Sequence, residues 1–158
     1  LRQVVEAHGD VEVIYPVHLS PAVQEAAKEI LSNHPQIHLI EPLDVVDFHN
    51  IAARSYFIMS DSGGVQEEAP SLGKPVLVLR DTTERPEGVT AGTLKLVGTE
   101  SENIREAMET LLTDKTVYHQ MSQASNPYGD GRASERIVEA IAHYFGYAAR
   151  PKNFVIGE

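Results

Sequence analysis

The stretch YFIMSDSGGVQEEAPSLGKPVLVLR, residues 56–80, decides the fold. It begins with an apolar run that predicts a strand, and the pair Gly63 and Gly64 then predicts a tight turn that opens a helix. We expect this short helix to stop at Pro70, and the apolar run at 75–80 to form the next strand. A strand, a helix and a strand in this order predict two parallel strands joined by a right-handed crossover.

Outside this stretch, short apolar runs and amphipathic segments continue to alternate in both directions along the chain. Strands are predicted at 11–17, 37–42 and 93–98, and helices at 1–9, 20–34, 44–55, 101–114, 117–124 and 132–147. Alternating strands and helices predict an α/β fold with a doubly wound, Rossmann-like parallel sheet. Ligands of such a sheet bind at the carboxyl ends of its strands.

Several polar residues and glycines mark where the predicted helices begin and end. Ser20, Asp44 and Ser101 are predicted N-caps, and Gly9 is predicted to end the first helix. No capping residue precedes that first helix, which indicates a domain truncated at its N-terminus. We expect one domain, residues 1–147, followed by a tail at 148–158.

Composition limits the classes of ligand and compartment. The formal net charge of -10 argues against non-specific binding to nucleic acid, because the chain repels a phosphate backbone. The absence of cysteine excludes disulfides and cysteine-ligated metals. No apolar run is long enough to cross a bilayer and no secretory leader opens the chain, so we expect a cytoplasmic protein without a membrane span.

Ser62, Gly63 and Gly64 are the strongest candidates for binding a ligand. A helix that begins at glycines lets an anion approach its free N–H groups closely, and a diphosphate fits such a site. Glu68 lies about one turn further along and could accept hydrogen bonds from the two hydroxyls of a ribose. A turn and a helix cap without any ligand would explain the same residues, and the residues alone leave both interpretations open.

The loop at 80–92 follows the next strand and therefore lies at the same edge of the sheet. Its Arg85 is the natural partner of a phosphate, because the guanidinium fork matches the geometry of oxyanions. A solvated charged loop is the alternative. His18 also ends a strand, although a lone histidine is more often structural than functional. His34 and His38 do not share a helix face, so we predict no zinc site.

Four segments together resemble the bacterial non-hydrolysing UDP-N-acetylglucosamine 2-epimerases. They are PVHLSP (16–21), DFHN (47–50), DSGGVQEEAPSLGKPVLVLRDTTERPEGVTAGT (61–93) and NPYGDG (126–131), in this order. Glycosyltransferases of the same two-Rossmann architecture share a looser pattern of glycines, Glu-Ala and Gly-Lys-Pro. The run DTTERPE is what points to the epimerases.

The resemblance implies an isomerase that interconverts UDP-GlcNAc and UDP-ManNAc by eliminating and re-adding UDP, without a cofactor or metal. The family serves cell-wall polysaccharide biosynthesis in the cytoplasm. The chain would be the C-terminal, UDP-binding half of a two-domain enzyme of the GT-B type and would be inactive alone. Its partners would be UDP-GlcNAc and UDP, the N-terminal domain of the same enzyme and, in a homodimer, a second copy.

The same resemblance implies roles for individual residues in binding the substrate. Ser62, Gly63 and Gly64 would bind the diphosphate. Glu68 would accept the ribose hydroxyls, and Phe48 would lie at the uracil. From helical spacing alone, Phe48 would instead be a core residue.

Two further residues take roles from the resemblance. Arg85 would face the phosphates and act as a catalytic residue, and His18 would belong to a second, activating UDP-GlcNAc site. Two alternatives remain for the whole chain. It could be the C-terminal domain of a nucleotide-sugar glycosyltransferase, or a nucleotide-binding module without catalysis.

Overall fold

The structure is a computed structural model that describes residues 1–155, as an alternation of helices and parallel strands. The strands are β1 (Val13–Pro16), β2 (Ile37–Ile40), β3 (Ile58–Ser60), β4 (Val76–Val78) and β5 (Leu94–Leu96). The helices are α1 (Arg2–Ala7), α2 (Pro21–Leu31), α3 (Val45–Arg54), α4 (Gly63–Glu68), α5 (Pro86–Ala91), α6 (Ser101–Thr113), α7 (Lys115–Ser122) and α8 (Ala133–Tyr144). The predicted α/β class is confirmed.

The strands form two parallel sheets. β1 pairs with β2, with Val13 opposite Ile37, and the second sheet has the order β3-β4-β5. Over residues 1–155, β1 and β3 do not pair with each other. A mostly apolar cavity of about 880 Å³, which we call the intersheet slot, is lined by both strands.

Strand β4 is the centre of the core because it is covered on both faces. On one face, Leu77 packs in a buried cluster with Met108 and Leu111 of α6. On the other face, Val76 and Val78 pack in a second buried cluster. Burial on both faces explains why this strand is a continuous apolar run instead of an alternating one.

The prediction of a loop over residues 80–92 was wrong in part, because the second half of this stretch forms α5. The helix opens with Pro86 at its first position, where a missing N–H costs nothing, and ends at Gly92 with φ 84°. Six residues are too few to show an apolar period, so the pattern gave no signal for this helix.

The predicted helix ends were also only partly right. Asp44 is an N-cap, and its side chain accepts hydrogen bonds from the N–H groups of Val46 and Asp47. Ser101 is not a cap, since α6 begins after Glu100 without a side-chain bond. Helix α4 ends at Glu68, before Pro70 as predicted, and a 3-10 turn then continues from Ala69 to Leu72.

Residues 148–155 form no helix or strand, and Phe154 lies against α8. The Arg136 guanidinium lies 5.4 Å from the ring centroid of Phe154. Of the predicted tail at 148–158, residues 156–158 lie outside the described part, and the boundary at 147 stays a prediction.

Helix α8 exposes an apolar row that includes Ile137 and Ile141. None of the described helices has the length and hydropathy needed to cross a membrane.

A pair of variants tests the helix caps. Asp114 caps α7 by accepting hydrogen bonds from the N–H groups of Thr116 and Val117. We expect Asp114→Ala to lower the free energy of unfolding by about 1 kcal/mol, because these donors lose their partner. Ser101→Ala, at the wrongly predicted cap, should leave it unchanged. Denaturant unfolding of both variants measures this, and an equal loss in the two would contradict the assignment.

Candidate functional site

The candidate site lies where β3 and β4 end, at the carboxyl edge of the three-stranded sheet. β3 leads directly into the turn Asp61–Ser62 and α4, and β4 leads into the loop from Leu79 to Arg85. Because the two strands are parallel neighbours, their following segments meet at the same edge. The glycine turn and Arg85 therefore lie close together, as predicted, because the strands that precede them are parallel neighbours.

The glycine turn presents unbonded backbone donors. Ser62 is the N-cap of α4, and its side chain makes no capping bond. Its own N–H donates to Ser60 Oγ at 3.1 Å, and its carbonyl accepts from the N–H of Gln66 at 3.2 Å. Within the described residues, the N–H groups of Gly63, Gly64 and Val65 find no acceptor. These three donors can bind an anion.

Arg85 is directed toward this turn. Its Nε donates to a carboxylate oxygen of Glu67, and its Nη1 donates to the carbonyl of Glu84 at 3.2 Å. Its Nη2 lies 3.7 Å from the point where a Cβ on Gly63 would lie. The structure thus brings a cation to the free N–H groups.

Glu84 lies over Gly63. Its Oε1 is 2.7 Å from where a Cβ on Gly63 would lie, so the end of the Glu84 side chain occupies the space that this glycine leaves free. Its Oε2 accepts from Arg80 Nη1 at 2.7 Å. A hydrogen bond from its own backbone N–H, with Arg80 and Arg85 nearby, holds the pKa of Glu84 below its usual value. The carboxyl is therefore ionised at neutral pH.

Hydrogen bonds hold the backbone of the loop after β4 against α4. Thr83 Oγ1 donates to Oε1 of the fully buried Gln66 at 2.5 Å and accepts from the N–H of Arg85 at 3.0 Å. Gln66 Nε2 has no partner among the described residues. A buried amide of this kind fixes its neighbours, because breaking the remaining bond would leave a second buried polar atom unpaired.

Glu68 and Phe48 lie on the two helices that flank the glycine turn. Glu68 Oε2 is 3.0 Å from His49 Nε2, and its Oε1 is 4.0 Å from the Cβ position of Gly64. Phe48, next to His49, is half-buried and lines the intersheet slot together with Val65. The arrangement places a carboxylate and an aromatic ring on the same side of the turn.

His18 lies at the end of the other sheet. It follows β1, is exposed, and its Nδ1 accepts the N–H of Ser20 at 3.1 Å. It lines the mouth of the slot with Phe48 and Asp61, and it makes no hydrogen bond to the glycine turn. Among residues 1–155, no three His, Asp or Glu side chains converge as a metal ion would require.

The NPYGDG segment packs against α5, the helix whose N-cap residue is Arg85. Asn126 holds the segment in a turn by accepting the N–H of Tyr128 at 3.0 Å. The Tyr128 hydroxyl contacts Gly88 so closely that no Cβ could be placed there. Burial, followed by the charge of Glu87, raises the pKa of this hydroxyl. The segment therefore supports the helix that directly follows Arg85.

Several residues of the site were not predicted from the sequence. Glu67, Gln66 and Thr83 hold Arg85, and His49 pairs with Glu68. Glu67 alone had a usable signal, because a residue four positions after Gly63 lies on the same face of a helix. The partners of the others are set by tertiary packing.

Comparison with known proteins gives consistent matches. The model of the UDP-N-acetylglucosamine 2-epimerase family matches residues 1–142. The chain is 65% identical over 147 residues to the UDP-N-acetylglucosamine 2-epimerase of Bacillus subtilis strain 168, covering 93% of this chain and 39% of that protein. The co-structure of S. aureus MnaA with UDP matches with a TM-score of 0.91 at 57% identity, covering 98% of this chain and 42% of that chain.

A third match contains a larger ligand. The structure of UDP-GlcNAc 2-epimerase from Neisseria meningitidis bound to UDP-GlcNAc matches with a TM-score of 0.84 at 47% identity. The match covers 90% of this chain and 38% of that chain. The chain thus spans about two fifths of the length of these relatives, and it corresponds to their C-terminal part.

Proposed function

The chain belongs to the UDP-N-acetylglucosamine 2-epimerase family, and we propose that it forms the UDP-binding half of an isomerase that interconverts UDP-GlcNAc and UDP-ManNAc. One observation carries the proposal. The free N–H groups of Gly63, Gly64 and Val65 lie at the carboxyl edge of the sheet, and Arg85 Nη2 lies 3.7 Å from the Cβ position of Gly63. This edge supplies backbone donors and a cation for a diphosphate, beside the ionised carboxylate of Glu84.

The diphosphate is assigned to Ser62, Gly63 and Gly64. In a chain with a formal net charge of -10, the long-range field repels such a ligand, so binding has to come from local donors. Backbone N–H groups at a helix start supply them without the entropy loss of ordering side chains. Arg85 adds a charge whose planar fork matches two phosphate oxygens.

The nucleoside is assigned to the two helices beside the turn. Glu68 can accept hydrogen bonds from both ribose hydroxyls, since an ionised carboxylate has two acceptor oxygens. Phe48 can stack on the uracil from the slot side. Its half-buried ring supports this role over that of a core residue.

In the proposed reaction, the bond between the sugar C1 and the oxygen of the β-phosphate breaks while the proton on C2 is removed. UDP leaves with the electron pair of the broken bond and is re-added after C2 has been reprotonated on the other face. Negative charge grows on the β-phosphate, where the N–H groups and Arg85 are already oriented. The groups that move the C2 proton are assigned to the rest of the longer protein, so this chain alone is inactive.

His18 is proposed to belong to a second, activating UDP-GlcNAc site, a role that rests on the resemblance alone. A homodimer and a cytoplasmic location stay predictions from the resemblance.

The partner domain is proposed to be the part of the longer protein that precedes Leu1. Two apolar surfaces that no described residue covers support a partner domain. They are the exposed apolar row on α8 and the intersheet slot.

Both strands that border the intersheet slot direct backbone N–H and C=O groups into it, and a further strand there could bond to these groups. Val13 N–H donates to Gln36 and Val17 N–H to Ile40, so the N–H and C=O of Ile14 point away from β2. By the same alternation, Met59 points away from β4, because Ile58 N–H donates to Pro75. We propose that a parallel strand of the longer protein bonds to both edges and joins the two sheets, since open edges inside a fold are costly.

The catalytic assignment of Arg85 is tested in the longer protein. We expect Arg85→Ala to lower kcat by roughly 10²–10³-fold, because the charge that grows on the β-phosphate loses its partner. Arg85→Lys should recover little, since an ammonium lacks the planar fork. Arg105→Ala, an exposed control on α6 with the same change of charge, should retain full activity. Steady-state epimerisation rates decide, and a wild-type kcat in Arg85→Ala would contradict the assignment.

Hydrogen exchange tests the strand in the slot. We expect the amide of Met59 to exchange quickly in the chain of 158 residues and slowly in the longer protein, because only there does it have an acceptor. The amide of Ser60, on the side paired with β4, serves as the control and should be slow in both. Equally fast exchange of Met59 in the two proteins would show that no strand pairs with β3.

A further inference from the structure

Glu67 is the residue that holds the guanidinium of Arg85, and the proposed reaction gives it no role. It lies in α4, four positions after Gly63, and its carboxylate accepts from Arg85 Nε. Both side chains are partly buried, with 43% of Glu67 and 29% of Arg85 exposed. An ion pair at this depth is less screened than one on the open surface.

The bonding pattern at Arg85 determines which of its donors remain available. Nε is engaged by Glu67 and Nη1 by the carbonyl of Glu84, while Nη2 donates to no described residue. Nη2 is also the Arg85 atom nearest to the Cβ position of Gly63, at 3.7 Å. Because the guanidinium is planar, a bond at Nε fixes the direction in which the two Nη groups point.

Helix α4 therefore controls Arg85 at both ends. Glu67 holds the guanidinium, and the neighbouring Gln66 holds the backbone N–H of Arg85 through the hydroxyl of Thr83. The same helix presents the free N–H groups of the glycine turn. The backbone donors and the cation are thus fixed relative to each other by one rigid element.

We propose that Glu67 is a positioning residue that aims the free Nη2 of Arg85 at the diphosphate. This inference rests on the proposed function and adds a residue to it. It makes a prediction opposite in sign to simple electrostatics. A carboxylate near a diphosphate repels it, so charge alone predicts that neutralising Glu67 strengthens binding, whereas positioning predicts that it weakens binding.

The test measures UDP affinity by calorimetry in the longer protein, for Glu67→Gln, Glu67→Asp and Glu106→Gln. Glu67→Gln keeps the shape of the side chain and removes its charge. We expect it to weaken UDP binding about tenfold and to lower kcat by a similar factor. Glu67→Asp, which retains the charge but is one methylene shorter, should also lose affinity and keeps the test informative if Glu67→Gln fails to fold. Glu106→Gln, an exposed α6 variant with the same charge change, should bind like wild type.

A double-mutant cycle separates positioning from a general structural effect. In an Arg85→Ala background, Glu67→Gln should have no further effect on UDP affinity, because the side chain that it positions is gone. Tighter binding by Glu67→Gln, or the same loss with and without Arg85, would overturn the inference. If the wild type bound no UDP, or if Arg85→Ala bound it normally, the proposed function itself would fail.

Discussion

The close approach at Gly63 is the constraint on which the candidate site depends. Without a Cβ at this position, the side chains of Glu84 and Arg85 can close over the first turn of α4. That turn keeps three N–H groups unbonded within the described chain. A Cβ on Gly63 would meet the terminal Oε1 of Glu84, so this side chain would have to move, while Arg85 Nη2 would be at ordinary contact distance. The absence of a Cβ thus leaves room for a carboxylate and a cation beside the free donors.

The buried strand β4 fixes the position from which Glu84 and Arg85 approach Gly63. Leu77 on one face and Val76 and Val78 on the other lock the strand between two apolar clusters. The loop that carries Arg85 therefore begins from a fixed point next to β3. The other sheet is less constrained, since β1 and β3 line a slot instead of pairing. The two buried apolar clusters thus surround the sheet that leads into the glycine turn.

Sequence patterns predicted most of the fold, because strands and amphipathic helices repeat with clear periods. They also predicted that Ser62–Gly64 and Arg85 meet, since the carboxyl ends of parallel strands share an edge. They missed α5, which is too short to show a period, and they placed a cap at Ser101 where the helix has none. The contact between Glu67 and Arg85 joins residues 18 positions apart, and no local pattern encodes such a distance.

UDP binding at the glycine turn is tested most directly by an NMR titration of the isotopically labelled chain with UDP, followed at the backbone amides. We expect the amides of Gly63, Gly64 and Val65 to shift most, because the diphosphate becomes their acceptor. ADP, which has the same diphosphate but a purine base, should cause smaller shifts at the same amides. If the three amides stayed in place while resonances elsewhere moved, the glycine turn would not be the site of UDP binding.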